Sequence, residues 1–451
     1  MENQFHIQIE APQDPTLQED LERIARDEAL PLNEIIGKSF LVTGATGLVG
    51  SLMVKTLCCI SRVRNASLTI YAVIRNEEKA RTIYGDLLDR GEIRLIRGDI
   101  TGGDFVESAG EQIRESIRNL PSGGFPHLDY IIHGAAVTTS KTMVEKPVET
   151  IMTAIDGTKN LLDLGVAAGV RSFVYLSSME VYGDMSVYRC IGAAPGQDRA
   201  DAAVTAGACT STGRPAPGKL EWKCGTVPEK CESVSGKYGT VPEKCEAAAG
   251  GTENESWKRA DETRLGFVDP QKVRSNYPES KRMCENLCTA YHAEYGLSVK
   301  IARLAQTFGA GILPWERRVF AQFAQSALDG TDIVLHTRGL SEGNYCYSRD
   351  VMRGLLTILL KGADGEAYNV ANEETHTTIA GMANMVADRI ADGKIRVVFD
   401  IPEANTFGYA ADTKLQLDAS KLRALGWTPE VSLEEAYRRT MASMRCRHHT
   451  S

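Results

Sequence analysis

A doubly wound α/β fold, with a parallel sheet and helices on both faces, is what three features of this 451-residue sequence predict. The apolar run Phe40-Leu41-Val42 leads into glycines at 44, 47 and 50, and a helical apolar pattern then passes through Met53, Val54 and Leu57. Short apolar strands recur after it, separated by helical stretches, as in a chain of βαβ units. One of them, Phe173-Val174-Tyr175-Leu176-Ser177-Ser178, ends in two serines where the carboxyl edge of the sheet would lie. Ligands bind at that edge in folds of this kind.

The glycine stretch carries the first functional signal. A buried strand that turns into a helix through Gly44-x-x-Gly47-x-x-Gly50 brings backbone N–H groups and the helix N-terminus onto a pyrophosphate. Gly44 makes the tight turn, Gly47 lets the phosphates approach and Gly50 lets the helix pack on the strand. Thr46, Leu48 and Val49 share that turn and are expected to line the dinucleotide. The architecture implied is a Rossmann-type sheet.

The second strand, Leu68 to Ile74, ends in Arg75-Asn76, where an acid usually binds the adenosine ribose hydroxyls. An arginine there can accommodate a 2′-phosphate, so Arg75 leaves both NAD and NADP open. The third strand, Ile93 to Ile100, carries Asp99 within reach of the adenine edge, with Ile100 beside it. The fourth, Leu128 to Ala136, closes on Gly134-Ala135-Ala136, small residues along which a cofactor passes, and Thr138 just beyond is a candidate substrate contact. His133 reads as a strand-end packing residue.

Composition narrows the classes. A net charge of −8 gives no basic field for nucleic acid, and no basic amphipathic helix suggests a membrane surface. No apolar run reaches the length of a membrane span, and Met1-Glu2-Asn3-Gln4 is no signal peptide. Eleven cysteines read as reduced thiols, and a cytoplasmic location is expected. Cys209, Cys224, Cys231 and Cys245 lack the spacing of a zinc knuckle and have no histidine among them, so no metal site is expected.

Three regions follow along the chain. Residues 1–36 hold one peripheral helix, with Leu17, Leu21, Ile24 and Ala25 at helical spacing, read as a loosely docked extension. Residues 37–304 form the NAD(P)-binding domain. It is interrupted at about 185–260 by a Gly/Ala/Pro/Ser/Lys/Glu-rich insertion that contains Gly-Thr-Val-Pro-Glu-Lys-Cys-Glu twice. Such composition does not offset its ordering entropy, so a mobile insertion is expected. Residues 305–451 form mainly a smaller substrate-binding lobe, with segments returning to the first domain.

Ser178, Glu180, Tyr277 and Lys281 are the candidate catalytic residues. Tyr277 and Lys281 are four apart and share one face of a helix, along which Met283, Leu287, Ala290 and Tyr291 form an apolar stripe. A tyrosine near its ordinary pKa of about 10 needs help to act as a base. The Lys281 ammonium and an oxidised nicotinamide would both favour its phenolate. Ser178 can hold the same substrate oxygen for hydride transfer.

In this order, the glycine turn, the Ser-Ser strand end and the Tyr-x-x-x-Lys helix resemble the extended short-chain dehydrogenase/reductase superfamily. The segments Ser178–Gly183, Arg274–Arg282, Ala302–Gly309 and Arg318-Val319-Phe320 look most like those of UDP-glucuronate decarboxylases. The resemblance covers most of the chain from Gly37 onward, apart from the insertion. It implies the superfamily's catalytic roles for Ser178, Tyr277 and Lys281, which would also touch the cofactor or substrate. Glu180 would take the decarboxylase's acidic role near the sugar, with Gln306 and Arg318 as further substrate contacts. It also implies a tightly held NAD, a nucleotide-sugar substrate, and a homodimer formed through helices near 157–169 and 281–295.

The sequence departs from that pattern at Met179, where dTDP-glucose-type dehydratases place an Asp, and at Ala154 and Gln306, where Asn is usual. It departs again near Gly343, where decarboxylases carry a pyrophosphate-clasping Arg that Arg318 or Arg338 would have to replace. Decarboxylation of a nucleotide-linked uronic acid is the first expectation. A 4,6-dehydratase or 4-epimerase is the alternative, and a non-catalytic NAD(P)-binding protein a further one.

Overall fold

The computed structural model describes residues 8–116, 126–185, 259–402 and 412–448. One parallel sheet contains β1 (Ser39–Thr43), β2 (Thr69–Ile74), β3 (Ile93–Arg97), β4 (Tyr130–His133), β5 (Ser172–Ser178), β6 (Val299–Leu304) and β7 (Ala367–Val370). Their order is β7-β6-β5-β4-β1-β2-β3, and every neighbouring pair runs parallel. The expected doubly wound sheet is the one found. Strand order reverses between β1 and β4, so a crevice opens at their carboxyl ends.

The helices that matter here are α1 (Pro15–Ala25), α2 (Leu48–Arg64), α3 (Glu77–Tyr84), α4 (Pro147–Ala168), α5 (Asn276–Tyr295), α6 (Ser348–Lys361) and α7 (Leu433–His448). Helices α4 and α5 pack together, and a core of Leu161, Leu164, Phe173, Tyr175, Cys284 and Cys288 lies between them and the sheet. Helices α1, α2 and α6 form another packed group, with α6 against β5 and β6.

The expectation of a loosely docked N-terminal helix is overturned. Asp14 caps α1 by accepting the Leu17 N–H at 3.0 Å, and Leu17, Leu21, Ile24 and Ala25 are all buried. Asp20, on the same buried face, accepts hydrogen bonds from the Tyr347 hydroxyl at 2.5 Å, Arg349 at 3.1 Å and Arg439 at 2.8 Å. Just upstream, Glu10 takes Arg62 on both carboxylate oxygens (3.0 and 2.8 Å) and Arg90 at 2.6 Å. Burial would raise the Glu10 pKa, but these hydrogen bonds outweigh it and hold the carboxyl at about 2. Apolar periodicity carries no sign of acids that anchor through arginines distant in sequence.

The apolar stripe expected on α5 is corrected in the same way. Its buried face is Lys281, Cys284, Glu285 and Cys288. Met283 and Ala290 are exposed, while Leu287 and Tyr291 are half-buried against the core.

The strand-end turn before the insertion is joined to the chain after it. Asp184 and Phe267 exchange backbone hydrogen bonds of 2.7 and 3.0 Å. Gly183 has φ +61° there, and a Cβ on it would collide with the Phe267 carbonyl. The two octapeptide repeats and the four cysteines considered for zinc lie outside the described residues. Among the described residues, no group of His, Cys, Asp or Glu could hold a metal ion, and no helix is long and apolar enough to cross a membrane.

Candidate active site

The glycine turn sits where strand order reverses. Gly44 has φ +68°, and a Cβ on it would lie 2.8 Å from the Gly134 carbonyl at the end of β4. Thr43 draws the two strand ends together, its hydroxyl accepting the N–H groups of Gly134 and Ala135 at 3.1 Å each. A Cβ on Gly50 would overlap the Gly44 carbonyl, so α2 leaves the turn as closely as a backbone can. Gly47 caps α2 without a side-chain hydrogen bond, which leaves the first amides of a 17-residue helix facing the crevice. The cradle is one that side chains would fill, and it fits a dinucleotide pyrophosphate.

The flanking residues fall around this cradle. Arg75 is exposed at the end of β2, close enough to Lys79 on α3 that, after burial, its charge lowers the Lys79 pKa. Lys79 also lies 4.6 Å from the ring centre of Trp315, which sequence reasoning missed. Asp99 is exposed and accepts the Thr101 N–H and hydroxyl at 3.0 and 2.9 Å. Ile100 is buried, Ala135 and Ala136 are half-buried along the crevice wall, and Thr138 is exposed beyond them. His133 is a packing residue: Thr43 and Thr158 hydroxyls lie 2.7 and 3.1 Å from its two ring nitrogens. Burial, then the Lys281 charge, lowers its pKa to about 3 and keeps it neutral. Tyr84, also missed, donates its hydroxyl to the Ala45 carbonyl at 2.5 Å and ties α3 to the turn.

Ser178, Glu180, Tyr277 and Lys281 meet at the carboxyl end of β5. Ser178 ends the strand and caps the short turn Met179–Tyr182, its hydroxyl accepting the Glu180 N–H at 3.2 Å. Tyr277 enters from the first turn of α5, near enough to Ser178 that the serine hydroxyl pulls its pKa down. One turn on, the buried Lys281 ammonium donates to the Leu176 carbonyl at 2.7 Å and lies 5.9 Å from the Tyr277 ring centre. Burial lowers the Lys281 pKa to about 8. Burial, with the Glu180 charge adding to it, pushes Tyr277 up to about 12, against the pull of Ser178, Arg274 and Arg318. The expected shift toward phenolate is therefore not produced by the protein alone.

Behind these residues lies a network that the sequence did not reveal. Glu285, one turn after Lys281, accepts the Ser177 hydroxyl at 2.6 Å and is gripped on both oxygens by Arg303 (3.0 and 2.7 Å). Arg303 also reaches the Tyr182 hydroxyl and the Glu262 carbonyl, both at 3.1 Å. It thereby links α5, β5, β6 and the turn carrying Glu180. The available signal was a pair of charged residues, Lys300 and Arg303, inside a strand whose other residues are apolar.

The side of the crevice that carries Glu180 is less complete. Arg274, which the motif included without a role, pairs with Glu180 through both guanidinium nitrogens at 3.1 and 3.2 Å. Arg318 is held by Glu316 at 3.0 and 2.6 Å, and Arg338 is exposed. Gln306 is half-buried, its N–H donating to the Asn344 carbonyl at 3.2 Å. Gly343 is buried, and a Cβ there would lie 3.1 Å from the Met179 methyl. Two of the departures seen in sequence are thus neighbours in space, Met179 standing against the backbone where a side chain is missing.

Residues 40–191 and 251–371 match the NAD dependent epimerase/dehydratase family. The chain belongs to that family. It is 24% identical over 397 residues to UDP-glucuronic acid decarboxylase 6 of Arabidopsis thaliana, covering 88% of this chain and 85% of that one. It is 22% identical over 406 residues to a dTDP-glucose 4,6-dehydratase of Streptomyces antibioticus, covering 89% and 91%. The solved structure of a UDP-glucuronic acid 4-epimerase from Bacillus cereus, in complex with UDP-glucuronic acid and NAD, shares its fold. The TM-score is 0.60 at 17% identity, with 90% of this chain and 99% of that one covered.

Proposed function

We propose that this family member decarboxylates a nucleotide-linked uronic acid by transient oxidation at C4 of the sugar. The observation that carries the reading is the meeting of Ser178, Tyr277 and Lys281 at the sheet's carboxyl edge, with Glu180 one turn away. The glycine cradle, Arg75, Ile100, Ala135 and Ala136 would hold a nicotinamide dinucleotide, which when bound supplies reversible acceptance of hydride.

Tyr277 takes the proton of the 4-hydroxyl while Ser178 holds that oxygen in place. Lys281 places a positive charge beneath the tyrosine ring, which favours the phenolate as the proton moves. A 4-keto uronate is a β-keto acid, so its C5–C6 bond breaks with the electron pair passing into the ketone and C6 leaving as CO2. The enolate then takes a proton at C5 from water, and the 4-hydroxyl is restored as hydride returns to C4 and Tyr277 returns its proton to the oxygen. Glu180 borders the sugar on the side of the departing group. The cycle consumes no external reductant, which favours a cofactor retained between turnovers.

The same residues serve dehydration or epimerisation at C4, and relatives with both chemistries exist. Buried Met179 offers no proton to a leaving hydroxyl, which weighs against dehydration. NAD is the cofactor of the epimerase structure above; Arg75 beside Lys79, with no acid at the end of β2, keeps NADP as the competing form. Apolar residues exposed on α4 and α5, among them Val148, Met152, Val166 and Met283, support a homodimer through those helices. Cys58, Cys59, Cys284, Cys288, Cys346 and Cys446 are free thiols, in keeping with a cytoplasmic protein.

The test is mass spectrometry of products from UDP-, dTDP- and GDP-linked sugars and their uronic acids. Loss of CO2 is expected from a uronate. Loss of water, or an isomer of unchanged mass, would move the enzyme to the dehydratases or epimerases. Tyr277→Phe should lose turnover while keeping its cofactor, and near-normal activity in that variant would remove Tyr277 from the mechanism.

A further inference from the structure

Two arginines bring positive charge to the reacting centre, and they are placed differently. Arg318 is paired with Glu316, two residues before it, whose carboxylate is also fixed locally by the Arg317 and Arg318 backbone N–H groups. Arg274 lies on the short turn Val273–Ser275 directly before α5, 5.9 Å from the Tyr277 ring centre, and its partner is Glu180. Both members of this pair are open to solute, their side chains retaining 24% and 35% exposure. Ion pairs this exposed are weakly held, because each charge keeps part of its hydration and little is lost when partners exchange. A planar guanidinium offers a carboxylate two parallel N–H donors, the geometry Arg274 already uses with Glu180.

We propose that Arg274 is the specificity-determining cation of the sugar pocket, exchanging Glu180 for the carboxylate of a uronic acid. This rests on the nucleotide-uronate reading given above. In a hexuronate the carboxyl carbon is bonded to C5, next to the C4 whose hydroxyl Tyr277 addresses. A cation flanking the Tyr277 ring is therefore placed for that carboxylate. When the C5–C6 bond breaks, the carboxylate leaves as neutral CO2 and its charge passes to the enolate oxygen. Arg274 then has no anion on the product's C5 and returns to Glu180. The exchange thus favours an acidic substrate over its decarboxylated product, using a carboxylate the protein already holds in place.

The experiment is calorimetric titration of the full-length, cofactor-loaded protein with matched pairs, glucuronate against glucose, on UDP, dTDP and GDP, with the free nucleotides as controls. Wild type is expected to bind the uronate of one series at least about tenfold more tightly than the neutral sugar. Arg274→Gln should abolish that preference without changing affinity for the free nucleotide. Glu180→Gln should increase the preference, because the guanidinium is freed of its competitor. That opposite sign is one a general loss of structure does not produce. Equal affinities for acid and neutral sugar in wild type would overturn the proposal, as would a preference surviving in Arg274→Gln, while leaving the nucleotide-sugar reading intact. Absence of binding in all three series would overturn both. A uronate preference lost in Arg274→Gln, without CO2 release by wild type, would uphold Arg274 and remove decarboxylation.

Discussion

The two ends of the crevice are built by different means. The end proposed for the dinucleotide is made of backbone: Gly44, Gly47 and Gly50 leave room, Thr43 draws β1 and β4 together, and α2 presents its amides. The end proposed for the sugar is made of side chains from segments far apart in sequence. Ser178 and Glu180 come from the end of β5, Arg274 and Tyr277 from the start of α5 nearly a hundred residues later, and Arg318 from beyond β6. A backbone cradle tolerates almost no change in its few positions. A side-chain pocket can exchange one residue for another, as Met179 and Gly343 do in mutual contact. The first end therefore tolerates little substitution, while the second can accept it.

That contrast is broken most severely from beneath the cradle. Helix α1 packs on α2, and Asp20 holds α1 to Arg349 and Arg439. Removing Asp20 takes the buried partner from both arginines and leaves them the more exposed Glu430 and Glu19, at about 3 kcal/mol. Asp20→Ala should lower unfolding stability by that amount in urea titration. A change within about 0.5 kcal/mol would return α1 to the status of an appendage.

Next in size is the cradle itself. Gly50→Ala forces a methyl group against the Gly44 carbonyl, an overpacking of about 3 kcal/mol in the turn proposed to bind phosphate. Dinucleotide affinity should fall roughly 100-fold, by fluorescence titration with both NAD and NADP. Unchanged affinity would mean that the pyrophosphate does not approach here.

Lys281 gives a comparison in pH rather than in sequence. Its folded pKa of about 8 is depressed from the ordinary 10.5, so between those values the unfolded chain carries a proton that the folded one lacks. Stability therefore gains with rising pH across that window, by as much as roughly 3 kcal/mol from this group. Lys281→Met should gain on wild type at pH 7 and lose that advantage by pH 10. Tyr277 acts in the opposite sense, its folded form keeping a proton up to about 12, but only above pH 10. A stability difference between the two proteins that is flat from pH 7 to 10 would show the ammonium to be better solvated than its surroundings indicate.

How much of this could be read in the sequence follows the same division. The sheet, the glycine turn and the Tyr277/Lys281 helix were legible because each is a local pattern with a fixed spacing. Asp20, Glu285 and Arg303 were not. Buried charges break the apolar rhythm that marks a core, and their partners lie in distant segments, so the apolar spacing points to Met283 while Cys284 and Glu285 occupy the buried face of α5. Arg274 stood inside the quoted motif, yet its role depends on Glu180, 94 residues away.

The smallest expected effect separates two neighbouring serines. Ser178 faces the site, and its loss should cost kcat about 100-fold, the scale of removing one donor from a reacting oxygen. Ser177 points to the opposite side of β5 and gives its hydroxyl to Glu285. Ser177→Ala removes one hydrogen bond to a charged group, about 1.5–3 kcal/mol of stability, while Arg303 still holds both Glu285 oxygens. If that network sets the register of α5 on β5, kcat should fall a few-fold with cofactor affinity unchanged, because only the Tyr277–Ser178 approach loosens. An equal loss in both serine variants would place Ser177 in the reaction itself. A loss of cofactor affinity alone would move the network's influence to the dinucleotide end, and the division between a backbone half and a side-chain half would no longer hold.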